Sequence, residues 1–401
     1  MEQICVIGLG YIGLPTACLL ADNGHKVVGV DINKRVVDAV NKGIPPFAEA
    51  SLNELLSKVV GSGKLTASME PVFSDVFLIA VPTPVCNRSA DLRCLISAIE
   101  SIIPHLEDGN MVIVESTVPP RTSEDIVVPL LNKSGKKDIG VVYCPERAIP
   151  GNTLYEMVNN ERIIGSLNKK TGERANRIYR SFVKGETHLT SIRTAETVKL
   201  VENTYRDVNI AIANEFAMIS EDIGVDVWEV IELANKHPRV NILRPGAGVG
   251  GHCIAVDPWF LSNPSTRMIN TTREVNGYMP TYVMGLIKKI IPTGSTITVF
   301  GLAYKPDVDD TRESPSLKFI EIAEGWGYKI KTYDPYIGGC SVEEAVKDSD
   351  CIAIMVNHSY FKTVSYPNIS KLMRSKNILD TQNCLYGRYL KEFNVITLGV
   401  G

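Results

Sequence analysis

Apolar residues in this chain fall into short runs, each ending in a loop rich in Gly, Pro, Ser or Thr. Residues 3–8, Gln-Ile-Cys-Val-Ile-Gly, read as a buried strand, and 14–23 as an apolar helix that Gly24 ends. A second strand, 26–30, delivers Asp31 at its C-terminal end. The rhythm returns at 75–81, 111–115 and 139–143, where apolar runs end in Pro82-Thr83-Pro84, Ser116-Thr117-Val118 and Cys144-Pro145-Glu146-Arg147. Strands without polar alternation, separated by helix-length segments, predict a parallel sheet covered on both faces.

The period then changes. Residues 194–223 contain no Gly or Pro before Gly224, and Val198, Val201, Tyr205, Val208, Ile212, Phe216 and Ile219 step by three or four. That spacing predicts one long helix with a continuous apolar stripe, suited to a domain-spanning spine or a dimer seam. Lys199, Asn203 and Arg206 form a second stripe, which by helical convention alone is a solvated face. Strands at 295–300, 329–333 and 350–356 and a helix at 316–325 restart the α/β pattern. The expected fold class is α/β, two Rossmann-like doubly wound domains joined by a long central helix and a helical middle domain. The expected boundaries are 1–192, 193–290 and 291–401.

Composition narrows the function classes. A net charge of −3 lacks the basic excess of a nucleic-acid binder. No apolar run approaches the roughly 20 residues that span a bilayer, so no membrane partner is expected. The N-terminus reads directly as a strand rather than as a leader, which predicts a cytoplasmic protein. The nine cysteines are scattered, without CxxC pairs or a Cys/His cluster, and support neither a disulfide framework nor a metal site. Cys5, Cys18, Cys144 and Cys351 lie in apolar segments and read as core.

Candidate chemistry starts at Gly8-Leu-Gly10-Tyr11-Ile12-Gly13. Strand, glycine loop, helix and acid fall in register, with Asp31 lying 23 residues after Gly8. The first glycine permits the turn, the second lets backbone approach a pyrophosphate, and the third packs helix on strand. Asp31 would bind the ribose hydroxyls and favour NAD, although nearby Arg35 keeps a 2′-phosphate open. Pro82, Thr83, Thr117 and Glu146 sit at strand C-termini, where open α/β sheets bind ligands. The segment 248–260, Gly-Val-Gly-Gly-His-Cys-Ile-Ala-Val-Asp-Pro-Trp-Phe, places Cys253 in a glycine-rich loop with Asp257 four residues later. Cys253 reads either as a buried apolar residue or as a nucleophile for an aldehyde or acyl carbon. The third-domain turn Gly301-Leu-Ala-Tyr-Lys305-Pro lacks the three-glycine fingerprint, and Lys305 and Arg312 there supply positive charge for phosphates.

Seven motifs in order carry a resemblance over essentially the whole chain. They are the 8–15 loop, Val81-Pro-Thr-Pro84, Glu115-Ser-Thr-Val118, Pro145-Glu-Arg147, Ala195-Glu-Thr-Val-Lys-Leu-Val-Glu-Asn203, the Cys253 loop, and 301–306 with Arg312. The chain resembles the UDP-glucose/GDP-mannose dehydrogenases, four-electron oxidoreductases that turn a nucleotide sugar's primary alcohol into a carboxylate. That resemblance implies two hydride transfers to NAD, with Cys253 forming a thiohemiacetal and then a thioester. It further implies Lys199 and Asn203 as oxyanion groups and Asp257 as proton acceptor or anchor for Lys199. Glu146 or Thr117 would hold the hydrolytic water. Tyr11, Ile12, Pro82, Thr83 and Arg312 would line the cofactor. Glu146, Arg147, Lys199, Asn203, Arg206, Gly246, Gly250 and Lys305 would line the UDP-sugar, the glycines through amides that approach its oxygens. Arg239 would be lent to the neighbouring subunit of a homodimer or higher homo-oligomer. Two stretches, 206–215 and 237–260, are most similar to members acting on UDP-N-acetyl-D-mannosamine, a precursor for polysaccharide biosynthesis. UDP-N-acetylglucosamine or another UDP-sugar is the alternative substrate. A two-electron 3-hydroxyacid-type dehydrogenase and a non-catalytic nucleotide-binding regulator are the rival classes.

Overall fold

The computed structural model describes residues 1–47, 49–149 and 151–401. Two compact units emerge, Met1–Val201 with Trp259–Leu261 and Glu202–Pro258 with Ser262–Gly401. In the first, β1 (Gln3–Ile7), β2 (Lys26–Val30), β3 (Leu65–Ser68) and β4 (Val76–Ile79) share one sheet, and β5 (Val85–Cys86) with β6 (Ser89–Ala90) forms a small hairpin beyond it. The sheet continues through β7 (Met111–Val114), β8 (Gly140–Tyr143), β9 (Arg162–Ser166) and β10 (Thr187–Ser191). Strand order is β10-β9-β8-β7-β4-β1-β2-β3, parallel except where β9 runs against β8. Order reverses at β1, so the C-terminal ends of β1 and β4 flank the crevice where such sheets take ligands.

Both faces of this sheet are covered, which explains the missing polar alternation. Ile4 and Val6 pack with Leu14, Ala17 and Leu20 of the first helix, Gly13–Asp22. Cys5 and Ile7 pack with Leu95, Ile99 and Ile102 on the opposite face. Strands β9 and β10 were not anticipated. β10 reads Thr-His-Leu-Thr-Ser and lies largely exposed at the sheet edge, so hydrophobicity carries no signal for it.

The second unit holds a parallel five-stranded sheet of β11 (Thr296–Phe300), β12 (Lys329–Tyr333), β13 (Cys351–Ile354), β14 (Asn377–Asp380) and β15 (Asn394–Thr397). Its order, β12-β11-β13-β14-β15, repeats the reversal at the first strand of the domain. Ile297 and Val299 pack with Met279, Val283 and Ile287 of a 24-residue helix, Arg267–Ile290. That helix contains Pro280, whose missing N–H and ring normally end a helix, and so it escapes a reading by periodicity.

The long helix, Ile192–Ile223, leaves much of its apolar stripe uncovered in the single chain. Val201, Tyr205, Ile212 and Ile219 of the apolar stripe are 51%, 61%, 37% and 52% exposed. Lys199 and Asn203, expected on a solvated face, are only 8% and 6% exposed, whereas Arg206 does face solvent. The covered face also carries Leu200 and small or polar residues, among them Thr204, Asp207, Ala211, Asn214 and Ala217. No described helix is long and apolar enough to cross a membrane.

Candidate active site

The glycine loop after β1 is shaped by contacts that only hydrogen side chains allow. Gly8 has φ +95°, and a Cβ there would lie 2.4 Å from the Ala80 carbonyl oxygen. A Cβ on Gly13 would lie 1.9 Å from the Gly8 oxygen. At Gly10 a Cβ would meet nothing within 4 Å, so the loop leaves open space there, as close backbone approach to a pyrophosphate requires. Asp31 accepts the Leu9 N–H (3.0 Å) and the Asn33 N–H (2.8 Å), which aligns its carboxylate beside the loop. Loop, helix start and acid fit a dinucleotide. Tyr11 packs its ring 4.2 Å from that of Phe47, Ile12 is half-buried, and Arg35 is exposed. Across the crevice, the Thr83 hydroxyl donates to the Thr117 carbonyl at 2.6 Å, tying the loops after β4 and β7 together. Pro82 between them is exposed.

Glu146 lies in a buried charge cluster rather than at an open water site. One of its oxygens accepts from Arg162 at 2.6 Å, and the other accepts the amides of Arg147 (2.7 Å) and Ala148 (2.8 Å). Burial opposes its charge, but Arg162 and those amides hold its carboxyl below the usual range. Glu115 shares the cluster, 3.5 Å from Arg162, and accepts from Tyr179 (2.7 Å) and Thr16 (3.2 Å). Burial pushes it up to about 7 despite Arg162. The Arg147 guanidinium donates to the Glu161 carbonyl. Arg162 carried no sequence signal, because it opens a strand that was not anticipated.

In the second unit, Asn203 donates its side-chain amide to Asp257 at 2.6 Å, and both groups are buried. The Val256 and Asp257 amides donate to the Cys253 carbonyl at 3.0 and 2.8 Å, so one tight turn separates thiol from carboxylate. Cys253 is half-buried, with its sulfur 3.5 Å from His252 Nδ1. Lys199 lies one turn before Asn203 on the long helix.

The Gly246 amide does not play the part expected of it. The Gly246 N–H is committed to Asn214 Oδ1 at 2.9 Å, and the Gly251 N–H to the Arg312 carbonyl at 3.0 Å. A Cβ on Gly250 would lie 2.6 Å from the Glu313 oxygen, and one on Gly251 2.7 Å from the Tyr304 ring. Close packing on the 301–315 segment accounts for the lack of a side chain at Gly250 and Gly251.

Asn214 is itself held. It donates to Asn276 (2.9 Å), and Asn276 and Arg273 donate to buried Asp207 at 2.8 and 2.7 Å. Asn214→Ala strands the Gly246 amide and Asn276, at roughly 1–3 kcal/mol for each unsatisfied buried group. A lower unfolding midpoint together with reduced kcat/KM is expected from paired denaturation and rate measurements.

The second switch point mirrors the first, with one difference. Gly301 has φ +90°, and a Cβ there would lie 2.6 Å from Val356 Cβ. Asp334, at the end of β12, accepts the Leu302 N–H at 2.7 Å, as Asp31 accepts that of Leu9. Here the acid is fully buried under His358, whose Nε2 lies 3.1 Å away. His358 Nδ1 accepts the Asp307 N–H, which leaves Nε2 as the donor. Burial opposes the charge of Asp334, but His358 and backbone amides hold its carboxyl down at about 2. An acid so covered cannot reach a ribose diol, so this half takes its nucleotide differently. Lys305 on the same turn is half-buried, with its ammonium 5.8 Å from the Tyr304 ring centre. Arg312 is engaged with Asp310 through Nε (2.9 Å) and Nη2 (2.5 Å), and Arg239 is exposed.

Residues 2–183, 193–278 and 298–387 match, in turn, the NAD binding domain, the central domain and the UDP binding domain of the UDP-glucose/GDP-mannose dehydrogenase family. The chain belongs to that family. It is an NAD-dependent dehydrogenase of nucleotide sugars. The enzyme is 48% identical to the UDP-N-acetyl-D-mannosamine dehydrogenase of Methanocaldococcus jannaschii, covering 100% of this chain and 97% of that one. It is 42% identical to the NDP-N-acetyl-D-galactosaminuronic acid dehydrogenase of Ralstonia nicotianae, with coverage of 95% and 96%. Among solved structures, the UDP-N-acetyl-D-mannosamine dehydrogenase of Pyrococcus horikoshii superimposes with a TM-score of 0.95 at 42% identity, covering 100% and 99%.

Proposed function

We propose that this enzyme oxidises UDP-N-acetyl-D-mannosamine at C6 to UDP-N-acetyl-D-mannosaminuronate in two successive two-electron steps. The buried Asn203–Asp257 bond carries the mechanistic reading. It locks a helix amide to the carboxylate one turn beyond the only half-buried thiol, Cys253, a loop geometry suited to covalent capture. Bound NAD supplies the hydride acceptor.

The Cys253 thiolate adds to the C6 aldehyde, forming a C–S bond while the carbonyl electron pair becomes an alkoxide. Loss of the second hydride leaves a thioester. Water then forms the C–O bond, the C–S bond breaks, and acid and thiolate part. The Lys199 ammonium stabilises the thiolate and the oxyanion, and the second N–H of Asn203 donates to the same oxygen. Asp257 fixes Asn203. Thr117 or Glu146 holds the hydrolytic water, the Glu146 carboxylate being fixed by Arg162 and two amides. Arg147, Arg206 and Lys305 face the UDP-sugar. Gly10, Tyr11, Ile12, Pro82, Thr83 and Arg312 surround the cofactor.

Asp31→Ala removes the ribose acceptor. Losing a hydrogen bond to a charged group costs about 1.5–3 kcal/mol, so KM for NAD should rise roughly tenfold or more while kcat changes little. An unchanged KM would take Asp31 out of the cofactor site.

The sugar assignment rests on full-length similarity to relatives named for that substrate. A second reading, oxidation of another 2-acetamido nucleotide sugar, is favoured by the 42% identical galactosaminuronic acid enzyme. NADH and acid yields across a panel of UDP-sugars, including the N-acetylmannosamine and N-acetylglucosamine epimers, decide between them. Two NADH per acid are expected, and one NADH per product would point to a simple dehydrogenase.

The exposed stripe of Val201, Tyr205, Ile212 and Ile219 supports a homodimer formed through the long helix, with Arg239 lent across it. Mixed dimers of Arg239→Ala and Cys253→Ser chains should regain activity that neither homodimer has. Hybrids that form but stay inactive would remove the sharing. The three-part organisation at 1–192, 193–290 and 291–401 and a cytoplasmic location complete the proposal, the latter supported by nine free thiols.

A further inference from the structure

Cys253 is competent only as a thiolate, and the residue bonded directly before it places a ring nitrogen 3.5 Å from its sulfur. We infer that His252 is the proton acceptor that generates the Cys253 thiolate and returns that proton to the oxyanion of the first adduct. The inference deepens the covalent reading above and rests on it only for the identity of the electrophile.

The geometry is held from several sides. The Gly251 amide, immediately before His252, is bonded to the Arg312 carbonyl, and the Cys253 carbonyl takes the amides of Val256 and Asp257. Both peptide flanks are therefore fixed. The His252 ring lies 6.2 Å from that of Tyr304 and is half-buried. Asp310 interacts with the His252 charge; burial opposes its own ionisation, but Arg312 and then His252 hold its carboxyl below the usual range. The other ionisable groups on the 301–315 segment are Tyr304, Lys305 beyond it, Asp307, Asp309, Glu313, and Arg312, which is paired with Asp310. Asp257, on the side of the long helix, is engaged with Asn203.

The proton balance closes. The S–H proton moves to Nδ1 as the sulfur lone pair attacks C6, and Nδ1 delivers it to the resulting alkoxide. The product is a neutral thiohemiacetal beside a neutral imidazole.

The test needs neither substrate nor cofactor. Alkylation of the full-length enzyme by iodoacetamide across pH, read at the Cys253 peptide by mass spectrometry, reports thiolate at that site. In the unmodified enzyme the midpoint should lie below the about 8.5 of a free thiol. His252→Gln and His252→Asn should move it up toward that value and slow alkylation at pH 7 by roughly tenfold or more. A midpoint at or above about 8.5 in the unmodified enzyme overturns the inference without any variant. So does an unchanged midpoint in either folded variant. An enzyme making one NADH per product would instead overturn the proposed function while leaving the His252–Cys253 pair intact.

Discussion

Cys253→Ser should form no measurable uronate, with acid production down by more than ~10³-fold, while NAD and UDP-sugar still bind. The substitution changes one atom. The amides that shape the turn bond to the Cys253 carbonyl, which serine keeps, so the loop stays in place. A serine hydroxyl beside one imidazole, without an oxyanion-matched triad, is a far weaker nucleophile than a thiolate near neutral pH. Any chemistry that survives should stall before the acyl group is released. Mass spectrometry of products with NADH counted per enzyme checks this. Full turnover to acid in the serine enzyme would sink the covalent route.

Arg162→Met should destabilise the first unit by about 3–5 kcal/mol at pH 8, because it leaves buried carboxylates without their cation. Arg162 lies 2.6 Å from Glu146 and 3.5 Å from Glu115, and all three are buried. The penalty should shrink at pH 5.5, where Glu115 is protonated and no longer needs a counter-charge. The sign follows from linkage. Glu115 titrates at about 7 in the folded chain against an ordinary 4.5. It therefore contributes stability below 4.5 that is lost as pH rises through 7. Glu146 is shifted the opposite way, and its contribution is present above 4.5 and lost only in more acid solution. The window between 4.5 and 7 thus belongs to Glu115. Urea unfolding of wild type and variant at pH 5.5 and 8 measures the difference, with the two units followed separately because two-state behaviour is not assured. An equal penalty at both pH values would mean that Arg162 does not neutralise Glu115. Because Glu146 caps the Arg147 and Ala148 amides, a fall in kcat should accompany the lost stability.

These predictions draw on residues of very different legibility. Gly8, Gly13 and Asp31 were readable because a tight strand–loop–helix turn restricts side-chain size at fixed spacings, and the close approaches at Gly8 and Gly13 show that restriction at work. The buried strands were readable because both sheet faces are covered. β10 was not, because a polar edge strand needs only backbone pairing. Arg162 and His358 were not, because their partners, Glu115, Glu146 and Asp334, lie 16 to 47 residues away along the chain and meet them only across strands.

The glycines before Cys253 mark the limit most plainly. Their presence was visible, but Gly246 does not use its amide as expected. Gly250 and Gly251 make room for Tyr304 and Glu313, and Gly246 spends its amide on Asn214. Sequence shows that a loop must tolerate close approach, while only the fold shows what approaches.

By itself the sequence determined the α/β class, a strand–glycine loop–helix unit with an acid in register, the long helix and the family, because each is written in local spacing. Tertiary structure alone decided which face of that helix is covered. Periodicity placed the apolar stripe, and helical convention alone put Lys199 and Asn203 on a solvated face, yet these two are buried while Val201, Tyr205 and Ile219 are exposed. Which face is buried depends on what a helix meets. Here the covered face meets polar partners, Asp257, Arg273 and Asn276, that satisfy Asn203, Asp207 and Asn214.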